Sequence, residues 1–140
     1  MQKVALIVAG GKGKRMASSI PKQFLLLKSL PILMHTLKKF SHFNETILVL
    51  PQSQFDCWNE LCNKKKFTQP HTLVAGGENR FQSVRNGLER TNKNTVVAIH
   101  DGVRPLVSKV LIDSLITKPE DGVGVIPVLP IKDSIRKIEG

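Results

Sequence analysis

The chain has no tyrosine and a single tryptophan among its 140 residues. A broad aromatic platform for stacking nucleic-acid bases is therefore poorly supplied. Long apolar runs are also missing. The longest one free of glycine and proline, Val4 to Ala9, falls far short of the ~20 residues that a membrane-spanning helix needs, so no membrane partner is expected. Residues 1–9 lead straight into a glycine loop without a signal-peptide cleavage pattern, and a cytoplasmic location is the expectation. Cys57 and Cys62 have neither metal-ligand nor redox spacing and read as free thiols in a reducing compartment. Negative charge is scarce too: 11 acidic residues face 21 lysines and arginines, a formal net charge of +10. Such a balance suits a polyanionic partner, whether a nucleoside triphosphate, a sugar phosphate or nucleic acid. It is equally compatible with a basic surface that aids solubility, and Lys64–Lys66 reads as a solvated face near a helix end.

What is present is ordinary for one globular domain: 41% hydrophobic and 23% charged residues over a length that can bury a single core. Short, nearly unbroken apolar runs recur at Lys3–Ala9, Thr46–Leu50, His71–Ala75, Thr95–Ile99 and Val123–Val128. Runs of this kind are typical of strands buried on both faces of a parallel sheet. Helical stretches fall between or after them, over Pro31–Phe40, Ser53–Lys64, Arg80–Glu89 and Lys109–Thr117. The alternation predicts an α/β fold with a Rossmann-like, parallel or mostly parallel sheet flanked by helices and joined by right-handed crossovers. Ligands of such sheets bind beyond the carboxyl ends of the strands. Chemically distinctive residues should therefore gather just after strands, and they do so at 9–22, 76–83 and 100–105.

The first cluster is Ala9-Gly10-Gly11-Lys12-Gly13-Lys14-Arg15-Met16. Its glycines permit positive φ and close approach of a ligand to the main chain, and successive N–H groups can form a nest for phosphate oxygens. Lys12, Lys14 and Arg15 add positive charge. The loop lacks the GK[ST] ending of a P-loop, and Met16 stands where a dinucleotide fingerprint needs its third glycine. Pro21-Lys22-Gln23-Phe24 follows; proline stiffens the segment on which Lys22 sits. In the second cluster, Gly76 and Gly77 precede Arg80 and Ser83 at a helix start, an arrangement suited to holding a base edge or ribose. In the third, Asp101 follows a strand directly and is the candidate Mg²⁺ ligand, since magnesium commonly takes one or two carboxylates plus substrate phosphates. Arg104 could pair with a substrate phosphate or with Asp101. His100 is expected to hold the loop by hydrogen bonding.

GGKGKRM with PKQF, then GGENRFQSV and HDGVRP, in this order along nearly the whole chain, resembles the 2-C-methyl-D-erythritol 4-phosphate cytidylyltransferase family of sugar-phosphate nucleotidyltransferases. The ribitol-5-phosphate cytidylyltransferases share much of the pattern. The resemblance implies transfer of CMP from CTP to a small sugar-alcohol phosphate, with Arg15 and Lys22 stabilising the charge on the α-phosphate and the leaving pyrophosphate. It implies that residues 76–84 hold the cytosine and ribose, and that residues 129–140 begin an arm for acceptor binding and dimerisation, with Ser134 placed for a contact to the acceptor. It further implies that the chain is one nucleotidyltransferase domain over 1–140 whose acceptor half is largely absent, and that the full-length protein is a homodimer. A non-catalytic nucleotide- or RNA-binding domain is the rival from another class. The low aromatic content and the lack of a recognisable RNA-binding motif weigh against nucleic acid as the partner.

Overall fold

The computed structural model describes residues 1–10 and 20–138. In chain order its elements are β1 (Gln2–Val8), a small hairpin of β2 (Leu26–Leu27) and β3 (Leu30–Pro31), α1 (Ile32–Lys38), β4 (Glu45–Leu50), α2 (Phe55–Lys65), β5 (Thr72–Ala75), α3 (Arg80–Leu88), β6 (Thr95–Asp101) and α4 (Lys109–Ile116). Four of the strands form a parallel sheet in the order β5-β4-β1-β6. The chain steps outward from β1 through β4 to β5, then returns past β1 to lay down β6. The strand order thus reverses between β1 and β6, where open sheets of this kind leave a ligand crevice.

Alternation along the buried strands divides the core into two layers. Ala5, Ile7, Ala9, Leu48 and Leu50 point to the face covered by α1, α2 and α4, where they meet Leu33, Met34, Leu37, Trp58 and Ile112. Val4, Leu6, Val8, Ile47 and Val49 point to the opposite face, with Val84 of α3 packed against them. There α3 approaches the sheet very closely: a Cβ at Gly87 would lie 2.3 Å from Leu6 Cδ1 and 3.0 Å from Val49 Cγ2. Only glycine lets the helix sit at that depth. The starts of α3 and α4 are capped by side chains, Asn79 accepting from the Gln82 N–H and Ser108 from the Leu111 N–H. Asp113 on α4 bonds His42 at 3.0 Å and Lys109 at 2.6 Å, which ties α4 to the connector before β4.

The expected fifth strand is a correction. Val123–Val128 carries no strand structure, and Val123, Ile126 and Val128 are 53%, 76% and 79% exposed. A strand is held by a neighbour's hydrogen bonds and by burial of a face. Here β6 ends the sheet, and a broad cleft separates it from residues 119–127. Pro127 also removes a donor from that stretch. Residues 129–138 are likewise exposed and without regular structure.

Candidate active site

Three connections meet at the carboxyl ends of the strands. The end of β1 is fixed from two sides: the Ala9 N–H donates to Val49 O at 2.9 Å, and Ala9 O accepts from Gln23 Nε2 at 3.0 Å. Both backbone groups of Ala9 are thereby used. Ala9, the first residue of the expected nucleotide loop, anchors the start of that loop. Gly10 comes next, and a Cβ on it would lie 3.8 Å from Ser83 Oγ, so the first loop abuts the second. Gly11, Lys12, Gly13 and Arg15 lie outside the described residues.

Lys22 sits on a single 3₁₀ turn, Lys22–Phe24, preceded by Pro21 at φ −53° and ψ 134°. Phe24 drops into the core and stacks on Trp58 with ring centroids 6.0 Å apart. Lys22 itself is half-buried and makes no ion pair among the described residues. Its ammonium is thus uncommitted.

The second connection is organised by its own side chains. The Gly76 N–H donates to Leu50 O at 2.8 Å, that of Gly77 to Ser83 Oγ at 3.1 Å, and that of Glu78 to Gln82 Oε1 at 2.8 Å. Ser83 is 3% exposed and donates its hydroxyl to Asn79 O at 2.9 Å. Its oxygen and proton are both engaged, so Ser83 shapes the loop rather than reaching into the crevice. The carbonyls of Gly76 and Gly77 accept nothing among the described residues, which leaves acceptors open on this loop. Gly10, Gly76 and Gly77 all have negative φ. Space rather than handedness calls for glycine at Gly77, where a Cβ would meet Gln82 Cβ at 2.4 Å.

The third connection carries the charge. Asp101 Oδ1 bonds Arg80 Nη2 at 3.1 Å and Oδ2 bonds Arg104 Nε at 2.9 Å, so one carboxylate lies between two guanidiniums. Arg104 thus pairs with Asp101, one of the two partners expected for it. The pairing of Arg80 with Asp101 joins the second and third loops, which the sequence alone did not suggest. The peptide after Asp101 is held by Gly102 N–H to Val8 O at 2.8 Å and by Thr36 Oγ1 to Gly102 O at 2.7 Å. Thr36 therefore does what was expected of His100. The His100 ring packs on Phe40 at 5.1 Å, and its buried Nδ1 has no partner among the described residues. Burial holds the imidazole below its ordinary value of 6.5, against the opposing pull of Asp101. Gly102 is also tightly placed: a Cβ there would lie 2.7 Å from Ala9 Cβ.

Ser134 stands on the exposed 129–138 stretch and is not brought to these loops by any contact among the described residues. Gln23, Thr36, Asn79 and Gln82, which do the positioning, were assigned no role from sequence. The Asn79-x-x-Gln82 spacing was a legible helix-start signal; Gln23 and Thr36 act across long sequence separations and left none. Cys57 and Cys62 are both free, and burial pushes the Cys62 thiol up to about 11, which makes it inert.

Comparison with known proteins supplies a family. The model of the IspD family, 2-C-methyl-D-erythritol 4-phosphate cytidylyltransferase, matches residues 3–140. Proteins of that name from Azobacteroides pseudotrichonymphae and Porphyromonas gingivalis are 49% and 50% identical, over 98% and 96% of this chain. The chain spans 63% and 61% of their lengths. The crystal structure of 4-diphosphocytidyl-2C-methyl-D-erythritol synthase from Anaerococcus prevotii superposes with a TM-score of 0.67 at 26% identity, over 83% of this chain and 50% of that one. The bifunctional IspDF of Campylobacter jejuni gives 0.68 at 28% identity, over 84% and 30%.

Proposed function

Because the chain belongs to the 2-C-methyl-D-erythritol 4-phosphate cytidylyltransferase family, we propose that its protein transfers CMP from CTP to 2-C-methyl-D-erythritol 4-phosphate in isoprenoid precursor synthesis. The observation that carries this reading is the Arg80–Asp101–Arg104 cluster at the β1–β6 crevice, beside a glycine loop and an uncommitted Lys22. Two guanidiniums on one carboxylate, with Lys22 on a turn tied to the end of β1, leave a net positive site fit for a triphosphate.

An oxygen of the acceptor's phosphate attacks the α-phosphorus of CTP. The bond from that phosphorus to the bridging oxygen breaks, and pyrophosphate leaves with the electron pair. The acceptor phosphate has its second pKa near ~6 and is largely dianionic at neutral pH, so no general base is required. Lys22, with Arg15 as the family resemblance implies, neutralises the charge that accumulates on the α-phosphate and leaving group. The open carbonyls of Gly76 and Gly77 suit a donating base edge such as the amino group of cytosine. Ser83 acts there by fixing Gly77, and Arg80 and Arg104 exchange their hold on Asp101 for substrate phosphate.

Among the described residues no group of three or more His, Cys, Asp or Glu could cage a metal. Asp101, once released by Arg80 and Arg104, would be the carboxylate to hold Mg²⁺ together with substrate phosphates, a common arrangement for this ion. The ion would supply charge neutralisation across the phosphates. Acceptor contact at Ser134, a homodimeric assembly of the whole protein and a cytoplasmic location belong to the same reading. Among the described residues, no helix is long and apolar enough to cross a membrane.

Pyrophosphate release from CTP and Mg²⁺, compared between methylerythritol phosphate and ribitol 5-phosphate, tests the proposal. Release with the first acceptor is expected. Release with ribitol phosphate alone would reassign the substrate, and none with either would leave a nucleotide-binding domain.

A further inference from the structure

Gln23 is 1% exposed, one of four buried polar side chains in the described chain. An amide at such a place is costly unless it is fully bonded. Its Nε2 donates to Ala9 O at 3.0 Å and to Gln54 Oε1 at 2.7 Å. A backbone carbonyl can only accept, so the nitrogen and not the oxygen must face Ala9, and both amide hydrogens are then committed. The three groups so tied lie far apart in sequence: the last residue before the glycine loop, the turn that bears Lys22, and the residue that leads into α2.

From this geometry we infer that Gln23 is the positioning residue for Lys22, locking its turn to the start of the glycine loop. The inference rests on the role proposed above for Lys22. Pro21 sets the direction in which the chain enters the turn, and Phe24 sets its depth in the core. Neither fixes the turn relative to Ala9. Gln23 does, through one hydrogen bond to the residue next to Gly10. A methionine would fill similar volume and suit the apolar surroundings, so burial alone does not call for an amide. Among the described residues the Lys22 side chain has no partner of its own to steady it, and its placement over a phosphate depends on the backbone beneath it.

A double-mutant cycle on the whole protein tests the inference, reading kcat, KM for CTP and the melting temperature. Gln23→Met should lower kcat by about 10- to 100-fold, the scale of a misplacement near 1 Å, with KM for CTP changed by no more than about 3-fold. In a Lys22→Ala background the same substitution should change residual turnover by less than about 3-fold, because the group it positions is gone. Gln54→Met, which removes one bond from a half-exposed partner, should lower kcat by a smaller factor at an unchanged melting temperature. Equal losses from Gln23→Met in both backgrounds, or wild-type kcat in it, would overturn the inference. Should Gln23→Met fail to fold, wild-type kcat in Gln54→Met overturns it instead. Wild-type turnover in Lys22→Ala would strike the functional reading itself, and the positioning role with it.

Discussion

At Asp101 two arginines hold a carboxylate that is itself only 29% exposed, while the arginine side chains are 63% and 74% exposed. Exposed pairs of this kind add little stability, about 0–1 kcal/mol, because water screens them and long side chains lose entropy. Asp101→Asn should therefore leave the melting temperature nearly unchanged while lowering turnover by about 100-fold or more. A parallel loss of stability would make the cluster structural. His100 behaves differently. Its folded-state pKa is lowered by burial, so the unfolded chain takes up a proton more readily as pH falls. Its contribution to stability is full above the ordinary value of 6.5 and is lost as pH drops below it. Urea midpoints measured between pH 7.5 and 5 should fall, and His100→Phe should flatten that part of the profile. The candidates at this scale were readable as residue types after strands, but their partners were not. Nothing local in HDGVRP says that Arg80 completes the cluster, because that contact exists only once β5 and β6 lie on either side of β1 and β4.

Elements were the most legible scale. Apolar runs bounded by glycine or proline located β1, β4, β5 and β6 to within a few residues, because strands buried on both faces leave a nearly unbroken apolar signature. The helical stretches were placed between or after the strands; in the structure proline precedes α1, and capping residues precede α3 and α4. Val123–Val128 has the same signature and forms no strand, since composition reports that a segment suits a sheet and not that a neighbour is there to pair with it. Close packing between elements was also invisible. Gly87, in the middle of α3, is what lets that helix reach Leu6 and Val49. Alanine gains up to about 1 kcal/mol of helix propensity, and overpacking a filled core costs about 1–3 kcal/mol. The second effect wins: Gly87→Ala should lower the urea midpoint, and a stabilised variant would show that α3 can lift off the sheet freely.

Across the whole molecule, the net charge of +10 sets a field that favours a polyphosphate ligand wherever it docks. The kcat/KM for CTP should accordingly fall as salt rises and the Debye length shrinks from about 10 Å at 0.1 M toward 3 Å at 1 M. A flat salt profile would mean that local contacts alone govern capture. The β5-β4-β1-β6 order explains why loops from distant parts of the sequence converge, since the reversal between β1 and β6 opens the crevice into which Gly10 and Asp101 lead. The order of motifs along the chain pointed to the family, and the topology shows why that order works.

The proposed catalysis turns on Lys22, whose ammonium is uncommitted among the described residues and whose turn is tied to the end of β1. The most direct measurement compares turnover and CTP affinity of the unmodified protein with those of Lys22→Ala. A lysine that stabilises charge only in the transition state predicts a loss of about 3 kcal/mol, 100-fold or more in kcat, with CTP binding little changed. Turnover retained near the unmodified value would contradict the assignment and the mechanism built on it.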